Sequence, residues 1–253
     1  MIKQFLKKKG KIGYGVMNTY LRKKGQVYND QEWWDKIFYS DGISDRQTIA
    51  SDKNPLSANY HYCSVEMFIL RYLFNNRIPL DQSVILDIGS GSGHWIDFFN
   101  SLGSVKTVGM DVSQSSVQFL EDKYSSRNDV VIHQGKAAEI INNLDDSFHI
   151  VNAVGVMFHI IDDLEWINTI QAIGAVLRQN GIFVTSGHFG CVNGVNVQID
   201  KKNQINKRLR SKRRWVKILS ENGFTHIKYY RNNAYLRIRE TLPENNLLIS
   251  SKL

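Results

Sequence analysis

The sequence predicts an α/β fold: a doubly wound, mostly parallel seven-stranded sheet that ends in an antiparallel hairpin and carries an N-terminal helical cap. From about Val84 onward, strand-like apolar segments alternate five times with helix-like segments, which is typical of serial βα units and a parallel sheet. After the fifth unit, "FTHIKYY" and "AYLRIRE" flank Arg231-Asn232-Asn233. Two strands around a short polar turn predict a hairpin, so the sheet ends in an antiparallel pair.

The five strands and their helices follow in order. The first strand, "SVILDI", is a continuous apolar run, as in a strand buried on both faces of a sheet. The next strands are "VKTVGMD", "VVIHQG", "FHIVNAV" and "GIFVTSG". The first helix is predicted from four apolar residues that are spaced to share one helix face: Trp95, Phe98, Phe99 and Leu102. Ser113 caps the second helix, and a longer one is predicted from about Asp162 to Gln179, with Asn180-Gly181 as its stop.

The first 82 residues have a different character. "QEWWDKIFYS" and "CSVEMFILRYLF" predict helices, and the segment between them, "DGISDRQTIASDKNPLSANYHY", is polar and rich in turn-forming residues. We therefore assign residues 1–82 to an N-terminal helical cap and residues 83–253 to the sheet domain.

The net charge of +8 is concentrated in two patches. Residues 1–24 contain no acid and eight bases, Lys3, Lys7, Lys8, Lys9, Lys11, Arg22, Lys23 and Lys24. Residues 201–214, a predicted loop before the last helix, contain no acid and eight bases, Lys201, Lys202, Lys207, Arg208, Arg210, Lys212, Arg213 and Arg214. Such patches bind phosphate, an acidic membrane or an anionic substrate, or else form a solvated tail and helix face.

Cysteine usage and the N-terminus indicate the compartment. The two cysteines, Cys63 and Cys191, lack partner spacing, which excludes a disulfide framework and a cysteine zinc site and suits a reducing setting. No apolar segment of signal-peptide type follows the N-terminal charges, and "IGYGVMNTYL" is much shorter than the ~20 residues that span a bilayer. We expect a cytoplasmic protein without a membrane span.

A glycine-rich turn follows the first strand in "DIGSGSG". Its spacing is D-x-G-x-G-x-G, with Asp87, Gly89, Gly91 and Gly93, whereas dinucleotide sites use G-x-G-x-x-G and phosphate-binding loops use G-x-x-x-x-G-K-[ST]. An acid inside the turn would repel a pyrophosphate but suits a ligand with a cationic amine. Because ligands of open α/β sheets bind beyond the carboxyl ends of the strands, residues that directly follow each strand are the candidates for the site.

With these segments in order, the chain resembles the class I S-adenosylmethionine-dependent methyltransferases. The segments that carry the resemblance are "VILDIGSGSG", "VGMDVS", "VVIHQGKAAEI", "FHIVNAVGVMFHI" and "LRQNGIFVTSGHF", within roughly residues 83–240. The resemblance implies a Rossmann-like domain that binds S-adenosyl-L-methionine and leaves S-adenosyl-L-homocysteine as product. It does not identify the methyl acceptor.

The resemblance also implies roles for individual residues. The cofactor-binding positions are Asp87, Gly89, Ser90, Gly91, Gly93, Asp111, Val112, Lys136, Ala137, Ala153 and Val154. Asp87 and Gly89 correspond to the residues that hold the methionine moiety, and Asp111 to the acid that accepts bonds from both ribose hydroxyls. Met110 and Val112 are expected to pack on the adenine ring.

Two positions depart from the pattern of the family. Many relatives have an acid where this chain has Lys136, which removes a side-chain contact to the adenine amine and leaves Glu139 as a substitute. His149 replaces another frequent acid, at a position that faces away from the ligand.

The methyl acceptor needs alignment and, for a hydroxyl or ammonium, a base. The catalytic candidates are His159 and His188, because both follow strands at the ligand edge and histidine titrates near neutral pH. A structural histidine that bonds a neighbouring loop is the alternative for His159. The candidate substrate-binding residues of the cap are Tyr60, His61 and Tyr62, which equally suit a helix that packs on the sheet.

Four functions remain open at this point. A small-molecule methyltransferase is favoured, with an oxygen, nitrogen or carbon acceptor, and an anionic acceptor would explain the second basic patch. A nucleic-acid methyltransferase would also use the patches, but "NAVGVMFHI" lacks the Asn/Asp-Pro-Pro-Tyr form, and no separate RNA-binding module is evident. A non-catalytic cofactor-binding protein would not need both acids, and the glycine spacing disfavours a dehydrogenase. The sequence leaves the oligomeric state open.

Overall fold

The computed structural model describes residues 29–49, 54–187, 189–190, 195–198, 205–230 and 246–252. Its helices are α1 (Asp30–Asp41), α2 (Asp45–Ile49), α3 (Pro55–Asn75), α4 (His94–Ser101), α5 (Gln114–Lys123), α6 (Ala137–Ile141), α7 (Asp163–Val176) and α8 (Lys212–Glu221), with a 3-10 turn at Leu80–Gln82. Its strands are β1 (Val84–Ile88), β2 (Lys106–Asp111), β3 (Val130–Gln134), β4 (Phe148–Val154), β5 (Leu177–Gly187), β6 (Phe189–Gly190), β7 (Val195–Gln198), β8 (Ile205–Ser211), β9 (Phe224–Tyr230) and β10 (Asn246–Lys252).

Seven strands form the central sheet in the order β3-β2-β1-β4-β5-β10-β9. Strands β1 to β5 are parallel, and β10 runs antiparallel between β5 and β9. The chain builds outward from β1 to β3 and then returns to place β4 on the other side of β1. The predicted doubly wound, mostly parallel sheet with an antiparallel end is confirmed, and its switch point lies between β1 and β4.

The antiparallel pair differs in detail from the predicted hairpin. The expected second strand, "AYLRIRE", lies at residues 234–240, outside the described residues. The partner of β9 is β10, which pairs Leu247 with Tyr230 on one side and Ser186 on the other.

Apolar clusters cover both faces of the sheet. Alternate residues of a strand point to opposite faces. On β1, Leu86 and Ile88 pack with residues of α7 and α8, whereas Ile85 packs with residues of α3 and α4. The two faces are therefore covered by different helices, and the continuous apolar character of β1 follows from this double burial.

Two helix boundaries differ from the prediction. Helix α7 ends at Val176 rather than near Gln179, because β5 begins at Leu177, which pairs with Phe148 of β4. At this end of the helix, the Lys252 ammonium donates to the carbonyl groups of Gly174 and Leu177. The polar segment of the cap is more ordered than expected. It contains α2 and the first turns of α3, where Asn54 accepts a bond from the Ser57 N–H at 2.8 Å.

The basic stretch before α8 is partly a strand. Residues 205–211 form β8, which pairs parallel with β6 and antiparallel with β7, in place of the predicted loop. Hydrogen bonds between neighbouring strands explain why charged residues adopt this conformation. The basic patch of residues 1–24 lies outside the described residues. Within the parts of the chain that the structure describes, no helix has the length and apolarity to cross a membrane.

Candidate functional site

The turn between β1 and α4 is held tightly against its neighbours. Gly89 and Gly91 have φ angles of 70° and 54°, in the left-handed region that favours glycine. A Cβ atom would lie 2.4 Å from a methyl carbon of Val156 at Gly89 and 2.5 Å from the methyl carbon of Thr48 at Gly91. Glycine is therefore required at both positions by backbone conformation and by close packing.

The amide groups of this turn are used inside the protein. The N–H groups of Gly89 and Ser90 donate to the Met110 carbonyl at 2.8 and 3.0 Å, and that of Gly93 donates to Ser90 at 2.8 Å. The Gly91 N–H donates to Oδ2 of Asp111 at 2.9 Å. A pyrophosphate site needs such amides to point at the ligand, so this turn does not suit a dinucleotide.

Asp87 and Asn152 form a buried pair on adjacent strands. They are register partners on β1 and β4, and Nδ2 of Asn152 donates to Oδ1 of Asp87 at 2.7 Å. Oδ2 of Asp87 and Oδ1 of Asn152 are buried acceptors without a hydrogen-bond partner. Burial raises the pKa of Asp87 to about 7, although the bonds from Asn152 and Ser90 act in the opposite direction.

Two acceptor oxygens without donors suit a ligand that brings donors and positive charge. Buried acceptors are nearly always satisfied by protein, water or ligand. An ammonium group supplies three N–H donors and favours the charged form of a neighbouring carboxyl group. The pair therefore fits the amino group of S-adenosylmethionine, and the turn between β1 and α4 fits this ligand better than a dinucleotide.

Asp111 lies at the end of β2 with both oxygens engaged. Oδ2 accepts from Gly91 N–H and Oδ1 from Ser113 N–H, each at 2.9 Å. Burial raises the pKa of this carboxyl group, whereas hydrogen bonds, chiefly those from the Ser113 and Gly91 amides, lower it. These two bonds fix the orientation of the Asp111 carboxylate, at the position where the resemblance implies contacts to the ribose hydroxyls.

The other predicted cofactor residues lie along the same edge of the sheet. Ser90 is buried and donates to the carbonyl of Asp87 at 3.1 Å. Val112, Ala137 and Val154 are half-buried, and Ala153 is fully buried. Met110, which was expected beside the adenine, is buried among the apolar residues of the core.

The two departures from the family pattern have clear structural environments. Nζ of Lys136 lies 3.4 Å from a carboxylate oxygen of Glu165, and Glu139 is exposed. Nδ1 of His149 accepts from Val84 N–H at 3.0 Å, and Nε2 of His149 lies 3.0 Å from Arg178 Nη1. His149 is at the amino end of β4, so it lies at the opposite edge from the candidate site, as expected.

His159 lies in the turn after β4. Its Nδ1 is 2.9 Å from the carbonyl oxygen of Asn206 on β8. Because a carbonyl only accepts, Nδ1 carries a proton, and in the neutral ring the lone pair is at Nε2. Phe158 and Trp34 flank the imidazole, with ring centroids 4.5 and 5.1 Å away. His188, the other catalytic candidate, lies outside the described residues.

The three aromatic candidates of the cap separate on α3. Tyr62 is buried, and its hydroxyl lies 2.7 Å from that of Thr48. The side chain of His61 is half-buried, with its ring 6.1 Å from that of Tyr62. Tyr60 is 38% exposed. Tyr62 reaches the end of the glycine-rich turn through its stack on His94. Tyr62 is buried and Tyr60 is exposed, so these two residues do not share one surface.

A polar cluster that the sequence analysis missed joins the cap to this turn. Nδ1 and Nε2 of His94 each lie 2.7 Å from a carboxylate, that of Asp45 and that of Glu66 respectively. Ser92 donates to the other oxygen of Asp45 at 2.6 Å. Burial lowers the pKa of His94, but the bonds to both carboxylates outweigh it and raise the pKa above its usual range. We call His94, Asp45 and Glu66 the clasp.

Helix α1 lies across the same edge of the sheet. Oδ1 of Asp35 accepts from the Ser113 hydroxyl at 2.6 Å and from Ser115 N–H at 3.1 Å. Trp34, one residue earlier on the helix, contacts the ring of His159. The helix thus connects the end of β2 with the turn after β4, on opposite sides of β1. The adjacent tryptophans in "EWWD" were the available sequence signal for this contact.

Known proteins resemble this chain in sequence and in fold. Residues 85–181 match a family model described as a methyltransferase domain. The ribosomal protein L11 methyltransferase of Dictyoglomus thermophilum is 26% identical over 139 residues, 54% of this chain and 44% of that protein. The match therefore spans less than half the length of this curated relative.

Solved structures share the fold at low sequence identity. Magnesium protoporphyrin IX methyltransferase from Synechocystis PCC 6803, with bound S-adenosylmethionine, has a TM-score of 0.62 and 15% identity, over 91% of this chain and 100% of that chain. The 1,6-didemethyltoxoflavin-N1-methyltransferase of Burkholderia thailandensis has a TM-score of 0.55 and 15% identity, over 77% and 89%. The resemblance to class I S-adenosylmethionine-dependent methyltransferases is confirmed, by the family model for residues 85–181 and by these structures for the fold.

Proposed function

We propose that this protein transfers a methyl group from S-adenosylmethionine to an oxygen, nitrogen or carbon atom of a small molecule. The observation that carries the proposal is the buried Asp87–Asn152 pair, whose two acceptor oxygens lack donors beside the oriented carboxylate of Asp111. The solved neighbours with bound S-adenosylmethionine support the same cofactor. Residues 83–253 would form the methyltransferase domain, with residues 1–82 as its cap.

Different polar residues would bind different groups of the cofactor. Asp87 and Asn152 would hold the amino group, and Asp111 the two ribose hydroxyls. The cofactor supplies a methyl group already activated on a sulfonium. The chain's own contribution is to orient the two reactants and to exclude water, which is worth much of the barrier in such displacements.

His159 is the candidate base for acceptors that lose a proton. The Asn206 carbonyl fixes its tautomer, so Nε2 holds the lone pair that accepts a proton. Phe158 and Trp34 hold the ring in place on two sides. The alternative is a structural role, in which His159 joins the turn after β4 to β8 through the same bond to the Asn206 carbonyl. The two roles differ in the effect that replacing His159 would have on the rate of methyl transfer.

A protein acceptor is the second candidate, favoured by the match to a ribosomal protein L11 methyltransferase. The third is a nucleic-acid acceptor, favoured by the basic stretch of residues 201–214. A small molecule is preferred because the didemethyltoxoflavin methyltransferase shares the fold over most of both chains and because the cap covers the edge of the site. The low cysteine content supports a cytoplasmic location.

The test combines binding and transfer. Calorimetric titration of the full chain with S-adenosylmethionine and with NADH compares the two cofactor classes, and binding of the former alone is expected. Incubation with methyl-labelled cofactor and separated small-molecule, protein and RNA fractions of a cell extract then locates the acceptor. Absence of S-adenosylmethionine binding would overturn the proposal, and label in protein or RNA alone would replace the acceptor class.

A further inference from the structure

Three guanidinium groups converge on one carboxylate beside the candidate site. Asp163, the first residue of α7, accepts from Arg208 Nη2 at 2.8 Å and from Arg210 Nε at 2.9 Å. Nη2 of Arg214 lies 3.2 Å from the same carboxylate. Arg208 and Arg210 belong to β8, and Arg214 to α8. We call these three residues the arginine cluster.

The charges of this cluster do not balance. One carboxylate faces three guanidinium groups, and Oδ1 of the nearby Asp162 accepts from the amides of Leu164 and Glu165. The other acceptors of the cluster are neutral carbonyl groups, that of Asp162 for Arg210 Nη2 at 3.2 Å and that of Ile161 for Arg208 Nη1 at 3.5 Å. The Arg210 side chain is only 1% exposed, and its pKa is lowered to about 10, chiefly by burial and further by the two neighbouring arginines. Buried positive charge without a matching anion is costly.

Unused hydrogen-bonding atoms concentrate in the same place. Eleven buried side-chain nitrogen and oxygen atoms of the described residues lack a hydrogen-bond partner, and six of them are near the cluster. These six are Nη1 of Arg210, Nε of Arg208, Nε of Arg214, Nε1 of Trp166, and both amide atoms of Asn206. Five of the six belong to groups that donate, so the local requirement is for acceptor atoms.

The cluster adjoins His159. The N–H of Arg208 donates to the Phe158 carbonyl at 2.7 Å, and Asn206, two residues earlier on β8, accepts from His159. The elements that carry the arginines are therefore bonded directly to the turn that carries the candidate base. The acceptor molecule of the proposed reaction has to approach this turn.

We propose that the arginine cluster binds an anionic group, a carboxylate or a phosphate, of the molecule that receives the methyl group. This inference rests on the proposed function, because it identifies where the methyl acceptor of that reaction binds. Guanidinium groups match both anions through paired N–H donors. An anion would supply the acceptor atoms and the negative charge that the cluster lacks.

The form of the cluster favours a small anion over a nucleic acid. Polyanion sites spread basic side chains over a surface to follow the backbone phosphates. Here the three charges meet at one carboxylate, and the side chains of Arg208 and Arg214 are only 27% and 26% exposed. A point of concentrated, mostly buried charge fits one anionic group.

The test uses inorganic phosphate and malonate as probes, at matched ionic strength, against the full chain. We expect at least one of them to bind saturably in calorimetry and Arg214→Gln to weaken it by about tenfold or more, as for loss of a charge-assisted hydrogen bond. The preferred probe distinguishes a phosphate from a carboxylate. Arg213→Gln, which removes the same charge from the exposed preceding position, should bind like the wild type.

A second variant and further measurements allow the inference to be tested even if Arg214→Gln does not fold. If Arg214→Gln does not fold, Arg214→Lys retains the charge without the planar fork and is expected to weaken binding severalfold. Failure of both probes to bind, equal weakening in Arg213→Gln, or binding of an RNA oligonucleotide that depends on Arg214 would overturn the inference. Titration with S-adenosylmethionine is the separate arm for the proposed function. If phosphate or malonate binds but S-adenosylmethionine does not, the result contradicts the proposed function and leaves the anion site standing.

Discussion

The imidazole of His94 lies face to face with the phenol ring of Tyr62, with ring centroids 3.6 Å apart and planes inclined by 23°. His94 begins the helix after the glycine-rich turn, and Tyr62 belongs to the cap. The stack places the imidazole between a buried aromatic face and the carboxylates of Asp45 and Glu66. The cap is thus attached to the turn by both electrostatic and apolar contacts.

The clasp should make stability depend on pH. Because the folded-state pKa of His94 is raised, its contribution is complete below the usual histidine pKa and is lost as pH rises through the folded value. Replacing His94 by Ala should cost about 2 kcal/mol in mildly acidic buffer, since two charge-assisted bonds are lost, and less in alkaline buffer. Urea unfolding across this range measures the difference. His226→Ala, at an exposed position of β9, is the control, and an equal loss at all pH values would contradict the role of the clasp.

Asp87 should also make stability fall as pH rises, because burial disfavours its charged form. Its pKa is about 7 in the fold, against an ordinary value of 3.8. The folded chain therefore retains a proton that the unfolded chain releases, and stability falls as pH rises through this window. In Asp87→Asn we expect that fall to be smaller by about 4 kcal/mol, measured by urea unfolding across the same window.

The control for Asp87→Asn is Asp122→Asn, at an exposed position of α5. Parallel stability curves for the Asp87 variant and the wild type would show that burial does not perturb this carboxyl group. In the wild type, affinity for S-adenosylmethionine should also increase as pH rises toward neutrality, because the charged carboxylate is the form that binds an ammonium group. That dependence should disappear in Asp87→Asn.

Asp111 should be required for cofactor binding. Asp111→Ala removes the proposed ribose contact and also the acceptors for the amides of Gly91 and Ser113. We expect S-adenosylmethionine affinity to fall by about 100-fold, equivalent to two hydrogen bonds to a charged group, in calorimetric titration. Asp122→Ala should bind normally, and wild-type affinity in Asp111→Ala would remove this residue from the site.

Gly91 and Thr48 should be coupled. In Gly91→Ala the new methyl group meets the Thr48 methyl carbon at 2.5 Å in a left-handed backbone, so we expect a loss of about 2 kcal/mol in unfolding free energy. Thr48→Ser removes the obstructing methyl and retains the hydroxyl that contacts Tyr62. The double variant should recover part of the loss. Strict additivity in this double-mutant cycle would mean that the two residues do not touch.

His159 should affect transfer more than binding. His159→Ala is expected to retain S-adenosylmethionine affinity and to lose about 100-fold or more in single-turnover transfer, the usual contribution of a general base. The substrate is the extract fraction that the wild-type protein methylates, and the half-buried His133 on β3 provides the matched alanine control. An unchanged transfer rate would leave His159 with a structural role only.

The parts of the fold that sequence patterns predicted are those determined by neighbouring residues. The apolar strands, the glycine spacing and the cap at Ser113 are local signals, and each was found at its predicted place. The end of α7 was misplaced because β5 begins directly after it, at Leu177, which pairs with Phe148 of β4. Local signals do not report such contacts.

The candidate site shows the same division. Asp87 and Asp111 are evident in short motifs, but the clasp joins His94 to residues 49 and 28 positions away. Asn152 was the missed residue with a usable signal, because an amide inside the apolar strand "FHIVNAV" needs a buried partner. The convergence of three arginines on Asp163 joins β8 and α8 to the first residue of α7, which no pattern in the chain indicated.

The position of α1 and α2 has a kinetic consequence. These helices contact the turn after β1, the end of β2 and the turn after β4, which surround the proposed cofactor site. At the proposed site, release of the cofactor would require those contacts to part, and its residence time would then depend on the opening of the cap. Variants that strengthen the contacts between the cap and the sheet domain would then have a lower turnover rate.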